Sequence, residues 1–484
     1  MRALLATSIG VTCAAALTLP LAVPGSAAPT PAPATAARAP AAPAEPQGST
    51  QSLRLRPLAD AEPRASGDPT GPTSQSSPTE GQGLLQRDSH RFSLVGVVWD
   101  DADAELHGTV QVRTRATGTG RWSGWQDLET HNTDHAADSG SAERESGAVR
   151  GSTAPLWVGD SDGVDVRVRA GDASSRSRSG TGAAPLPAGL RVELVDPGDD
   201  PQEQPESVTP DGVTPATATS ATVTPVSTSP RPGALPASAT LGLAAAESSA
   251  VNADLAPLGA TRIPALSKAE SEEQAVVAAS AKPYVGPRPG IVTRKGWGAD
   301  ESLRERTFAY TSTVKAAFVH HSATGNNYTC AQAPSVLRGI YRYHVKSSGW
   351  RDFGYNFAID KCGTIYEGRA GGVTKAVLGA HTLGFNTNTM GIAVLGSFGS
   401  TNPPAAAVDA IAKLTAWKLG LFGRNPKGKV TLVSGGSGKY AKGVSVKLNV
   451  ISGHRDGFAT ECPGIRLYNK LGAARTTSAK LQGR

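Results

Sequence analysis

The stretch ISGHRDGFATECPG, residues 451–464, places His454 and Cys462 eight positions apart between glycines and a proline. An imidazole and a thiol so spaced could be half of a metal site, a cysteine–histidine nucleophile pair, or ordinary buried residues. Val319-His320-His321-Ser322 adds two adjacent imidazoles. Catalytic zinc takes three protein ligands from nitrogen, oxygen and sulfur donors and keeps a further position for water, a demand that two histidines and a cysteine satisfy. Successive side chains of a strand point to opposite faces, so His320 and His321 cannot both serve one site. The seven residues between His454 and Cys462 are enough for the chain to fold back over its own beginning.

The elements that must position these residues are legible around them. KAAFVHHS reads as a buried strand, and AQAPSVLRGIYRYHV as an amphipathic helix with apolar residues at 336, 337, 340, 341 and 345. YNFAIDKCGTIYEG reads as a hairpin turning at Cys362-Gly363, MGIAVLGSF as another strand, and PAAAVDAIAKLTAWKLGLF as a long helix. KLNVISGHRD reads as a strand running into a loop, and PGIRLYNKLGAAR as a last short helix. This order predicts an α/β layer fold over 286–476, with helices flanking a central mixed sheet and a tail at 477–484.

Residues 85–197 have a different texture. RFSLVGVVWDD, GTVQVRTRA, APLWVGD, GVDVRVRAG and GLRVELVDP are short β-branched and aromatic runs separated by turn residues. They predict a smaller all-β, sandwich-like accessory domain. Its tryptophans, Trp99, Trp122, Trp125 and Trp157, are expected mainly in its core, with a sugar-binding face as the alternative. Residues 29–84, rich in Pro, Ala and Ser, read as a disordered spacer, and 198–285, with Val-Thr-Pro recurring at 208, 213 and 223, as an elongated linker containing a short helix near 265–280.

Residues 1–28 carry Arg2, an apolar run and a Ser26-Ala27-Ala28 ending, the pattern of a secretory signal peptide; no later segment has the apolar length of a membrane span. Cys13 lies in that run, which leaves Cys330, Cys362 and Cys462 in an exported chain. An odd number in an oxidising compartment leaves one thiol to be explained. Charge is divided: from residue 286 onward there are 27 Lys and Arg against 9 Asp and Glu, about +18, while the remainder carries about −11. A basic exported domain is drawn to polyanions. Nucleic acid is set aside because no RRM, zinc-finger or helix-turn-helix pattern occurs; anionic cell-wall polymers fit export better.

Seven segments, in order over roughly 180 residues, carry a family resemblance: Arg294-Lys295-Gly296-Trp297-Gly298, Phe318-Val319-His320-His321-Ser322, Gly354-Tyr355-Asn356-Phe357, Ile365-Tyr366-Glu367-Gly368-Arg369, Gly379-Ala380-His381, Gly391-Ile392-Ala393-Val394, and Gly453-His454-Arg455-Asp456 followed by Thr460-Glu461-Cys462-Pro463-Gly464. With these the C-terminal part resembles the zinc-dependent N-acetylmuramoyl-L-alanine amidases of the peptidoglycan recognition protein family. The resemblance implies an enzyme that cuts the amide between the lactyl group of N-acetylmuramic acid and L-alanine in peptidoglycan; the chain is expected to be secreted, wall-associated and monomeric. It implies Zn2+ held by His320, His454 and Cys462. Tyr355 stands at the position of the catalytic tyrosine, and Thr460 where some relatives carry a lysine, so that it supplies a hydroxyl without a charge. Trp350, Arg369, His381 and Asn386 lie near segments that border the muramyl-peptide groove. With Cys462 given to the metal, Cys330 and Cys362 are the expected disulfide, closing a loop of about 32 residues.

Two other functional classes stay open at this point. A recognition protein would bind peptidoglycan without cutting it, although such members usually lack the ligand cysteine. A thiol hydrolase would use Cys462 as nucleophile and His454 as base, against which the following Pro463-Gly464 argues.

Overall fold

The computed structural model describes residues 48–58, 81–130, 134–171, 185–200, 241–276 and 284–484. The signal-like residues 1–28 lie outside these. Two β-sheet layers dominate the described part, and a shared apolar seam joins them.

The accessory domain is an eight-stranded antiparallel sheet whose strand order is Ser49–Arg54, Arg191–Asp196, Gly81–Trp99, Leu156–Ala170, Gly108–Ala116, Gln126–Leu128; Arg56–Pro57 and Gly151–Ser152 pair with Gly81–Trp99 off this path. Irregular register along Gly81–Trp99, between Leu84 and Arg87 and again around Phe92, marks bulges that bend this strand. Phe92, Val95, Val97, Trp99, Val110, Val112, Val164, Val166, Val168, Val192 and Leu194 form its core, the buried half of the period-two pattern. Trp99 and Trp157 are buried, as expected. Trp122 and Trp125 are only half-buried and stack with guanidinium groups, Arg167 lying 3.9 Å from the Trp125 ring centre.

The C-terminal domain is a seven-stranded mixed sheet in the order Ile451–Gly453, Ala316–His321, Thr389–Val394, Phe357–Ile359, Ile365–Glu367, Ile291–Val292, Arg262–Ile263. Ala316–His321 runs parallel to both of its neighbours and is buried along its whole length, as an apolar run covered on both faces must be. Phe357–Ile359 and Ile365–Glu367 form the expected hairpin, with Gly363 at φ 85° in its turn. Helix Ala405–Leu421 covers one face together with Leu471–Gln482, to which it is tied by the Thr415–Ser478 hydroxyl contact at 3.0 Å. Helix Ala333–Arg342 begins after a Thr329–Gln332 capping box and packs on the other face.

Four boundaries differ from expectation. The accessory sheet starts within the stretch read as a spacer: Ser49–Arg54 pairs with Arg191–Asp196 through its backbone, and STQSLR has too few apolar residues to announce a strand. The stretch read as a linker contributes helix Leu243–Ala250, strand Arg262–Ile263 as an edge of the C-terminal sheet, and the expected short helix, Lys268–Val276. Residues 477–484 are not a tail, because helix Leu471–Gln482 runs on with Ser478 and Gln482 buried. The segment after Gly453 is a helical turn, His454–Gly457, rather than a loop.

The two sheets meet on apolar ground. Leu94, Val98, Trp157 and Val195 of the accessory domain lie in one cluster with Tyr328, Leu337, Ile340 and Tyr343. The Tyr343 hydroxyl reaches the carbonyls of Val97 and Thr153 at 3.3 and 3.1 Å. Among the described residues no helix is long and apolar enough to cross a membrane.

Candidate metal centre

His320 and His454 are brought together by strand register. Val319 pairs with Gly453 in the parallel ladder, so the next residues, His320 and His454, stand side by side with ring centres 4.4 Å apart. Alternation sends His321 to the opposite face, where its Nε2 lies 3.3 Å from a Glu129 carboxylate oxygen. Cys462 returns to the site because its carbonyl accepts from the Arg455 amide at 2.9 Å and its own amide donates to the Thr460 hydroxyl at 3.2 Å. Its Sγ is 3.8 Å from His320 Nδ1.

The accessory domain adds a fourth donor. His135 Nε2 lies 3.5 Å from Cys462 Sγ, and the ligand atoms of His135, His320, His454 and Cys462 are all within 4.8 Å of one another. All four residues are buried. Behind them, Asp134 places one carboxylate oxygen 2.9 Å from His135 Nδ1 and the other 3.7 Å from His454 Nδ1. Thr382 Oγ1 is 3.4 Å from His320 Nε2 and 3.0 Å from His381 Nδ1. Such outer partners fix the orientation of a ligating ring.

Electrostatics suit a cation. Burial, reinforced by the neighbouring imidazoles, holds His320 well below the usual histidine range and His454 at about 3, so both rings are neutral and able to ligate. Burial raises Asp134, but His135 and His454 outweigh it and hold this carboxyl well below its ordinary range. Burial pushes the Cys462 thiol well up, with Asp134 and Glu129 adding to the effect. Without a cation Cys462 is therefore a thiol, which speaks against its use as a free nucleophile. His454 Nε2 is buried with no hydrogen-bond partner among the described residues, and three imidazoles with one sulfur are the borderline donors that zinc takes. The residues present fit this ion.

The other candidates are placed as follows. The Tyr355 ring is 5.3 Å from that of His320, beside the cluster. Thr460 is half-buried, and its hydroxyl helps to hold the Asp134 carboxyl low. Cys330 and Cys362 are disulfide-bonded with Cα atoms 6.2 Å apart, and Cys462 is free. The four residues expected to border an open groove are all covered in this structure. Trp350 stacks on His344 at 4.3 Å, and His381 is wholly buried behind His320. Arg369 is paired with Glu143, and Asn386 donates to the Ala136 carbonyl and the Asp138 carboxylate at 2.9 and 2.7 Å. The segment that covers Arg369 and Asn386, 134–149, belongs to the accessory domain. His135, Asp134, Asp138 and Glu143 went unmarked in the sequence; the only trace was an Asp-His pair in the turn-rich stretch 130–142.

The fold and the cluster together define the class: a type 2 amidase domain behind a β-rich domain. A family model described as N-acetylmuramoyl-L-alanine amidase matches residues 310–465, and one described as Rv3811 N-terminal galactose-binding domain-like matches residues 35–191. Peptidoglycan-recognition protein SC2 of Drosophila simulans is 30% identical over 181 residues, covering 37% of this chain and 84% of that protein. The peptidoglycan recognition protein of Trichoplusia ni is 29% identical over 182 residues, covering 38% and 85%. Among solved structures, wild-type Drosophila PGRP-LB is 26% identical, with 38% of this chain and 92% of that chain covered and a TM-score of 0.30. Through its C-terminal domain the chain belongs to the peptidoglycan recognition protein family.

Proposed function

We propose that this protein is a secreted, wall-associated zinc amidase that hydrolyses the bond between the lactyl group of N-acetylmuramic acid and L-alanine in peptidoglycan. The observation that carries this reading is the convergence of His320, His454 and Cys462, the one free cysteine among the described residues, on a single buried point. His320, His454 and Cys462 would hold a zinc ion there, which would supply the Lewis acidity that activates water and polarises the scissile carbonyl.

The chain's own residues supply the rest. The Tyr355 phenol, kept protonated by burial, is a hydrogen-bond donor beside the cluster and stabilises the negative charge that develops on the carbonyl oxygen. Thr460 supports the site through Asp134 and the Cys462 amide, and donates no charge. Arg369 and Asn386 bind the muramyl peptide, with Trp350 and His381 shaping the walls behind them. The positive C-terminal domain steers the protein to anionic wall polymers, acting as a monomer.

Mass spectrometry of digested peptidoglycan tests this directly. New free amino groups on L-alanine, lost on chelation and restored by zinc, are the expected result; cleavage elsewhere, or activity indifferent to chelation, overturns it. One observation favours a second reading: four protein donors also describe a closed structural zinc site. On that reading the protein binds peptidoglycan and releases no alanine amino groups.

A further inference from the structure

Between the accessory domain and the candidate metal centre lies a contact that the amidase reading does not use. Residues 134–138 reach into the C-terminal domain, where the Leu383 amide donates to the Asp134 carbonyl at 2.9 Å and the Gly384 amide to the Asp138 carboxylate at 2.7 Å. Further along, Glu143 accepts from both terminal nitrogens of Arg369 at 2.8 and 2.9 Å and from the Arg351 amide at 3.1 Å. The segment thus sets a carboxylate on Arg369, a carboxylate and a carbonyl on Asn386, and an imidazole against Cys462.

We infer that His135 is a fourth ligand to the metal and that segment 134–149 is a built-in plug of the substrate groove, so that the chain as folded here is a latent enzyme. The inference rests on the metal-site reading above. Donor spacing supports it: a thiolate and an imidazole nitrogen disposed tetrahedrally around zinc are about 3.6 Å apart, from bond lengths of ~2.3 and ~2.05 Å. His135 Nε2 lies 3.5 Å from Cys462 Sγ and His320 Nδ1 3.8 Å, so the accessory-domain imidazole meets this spacing as well as the family ligand does. The Asp134 carboxylate, 2.9 Å from His135 Nδ1, sets a buried negative charge beside this ring, which favours a cation held at the cluster. A fourth protein donor takes the position that hydrolysis needs for water.

The plug and the domain docking are physically separate. Docking rests on the apolar seam of Leu94, Val98, Trp157 and Val195 against Leu337, Ile340 and Tyr343. The plug is held chiefly by polar contacts, at Arg351, Arg369, Leu383, Gly384, Asn386 and the metal cluster, with only the small side chains of Ala136 and Ala137 as buried apolar surface, so it can leave while the domains stay joined. The seam keeps the plug at high effective concentration, and an anionic peptide competes with it for Arg369.

The test uses the full zinc-loaded chain and X-ray absorption at the zinc edge. The wild type is expected to show one sulfur and three imidazole nitrogens, and His135→Ala one sulfur, two imidazoles and an oxygen in place of the third. Release of alanine amino groups from peptidoglycan is expected to rise severalfold in His135→Ala. Asp138→Ala, which removes an anchor and no ligand, guards against misfolding of the first variant and is expected to shift the absorption in the same direction. Wild-type zinc with only two imidazoles, or identical spectra for wild type and His135→Ala, overturns this inference and leaves the amidase reading standing. A wild type that takes up no zinc overturns both.

Discussion

Glu143 and Arg369, 226 residues apart in sequence, form a buried two-point ion pair with both nitrogen–oxygen distances under 3 Å. It joins the accessory domain to a residue expected to meet substrate. Glu143→Ala removes charge-assisted hydrogen bonds worth about 1.5–3 kcal/mol. Hydrogen exchange at the amides of Arg351, Leu383 and Gly384, which donate to the plug, is therefore expected to quicken by roughly ten- to a hundredfold, with Gly81–Trp99 and Leu156–Ala170 unchanged. Uniform acceleration across the accessory sheet would mean that the plug does not move independently.

The Cys330–Cys362 disulfide closes a separation of 32 residues and contributes no member of the metal cluster. Replacing both cysteines by serine is expected to lower stability by about 2–4 kcal/mol in denaturant unfolding, with zinc content per folded chain unchanged. A parallel loss of zinc would tie this bridge to the site.

Glu367 provides a pH signature. Burial pushes its carboxyl up to about 7, against the lowering effect of the Asn252 side chain and nearby Arg294. A folded-state pKa above the unfolded value gives stability that is fully present below the unfolded pKa and is lost as pH rises through the folded one. Wild type is expected to lose on the order of 3 kcal/mol relative to Glu367→Gln between about pH 4.5 and 7. Calorimetry across that window checks it; parallel stability curves would contradict the assignment.

Support behind His320 is testable at a glycine. A Cβ at Gly391 would lie 2.4 Å from Cγ of His381, whose ring holds Thr382 against His320. Gly391→Ala is expected to weaken zinc binding by about 10- to 100-fold, as loss of an outer partner does. Unchanged affinity in a competition titration would show that His320 needs no such support.

Much of this site was legible because its parts announce themselves chemically. His320 lies in an apolar run whose pairing on both sides follows from that run, and Cys462 is the odd thiol in a chain with a signal-like start. Strand alternation separates His320 from His321, and the structure keeps them on opposite faces, His321 against Glu129. His135 had no such signal, because its role depends on docking between domains, and the residues that dock, such as Trp157 and Tyr343, look like ordinary core residues of their own layers. The same cause hid the covering of Arg369 and Asn386: their partners, Glu143 and Asp138, lie in a polar turn-rich segment with no periodicity. Ser49–Arg54 was missed because an edge strand is held by backbone pairing, which leaves no apolar pattern.

The central claim is that two imidazoles of the C-terminal domain and Cys462 hold a metal ion. Zinc content of the purified full chain after dialysis, measured beside that of Cys462→Ser, tests it most directly. The account predicts close to one zinc per chain in the wild type and a small fraction of that in the variant; equal zinc in both, or none in the wild type, would contradict it.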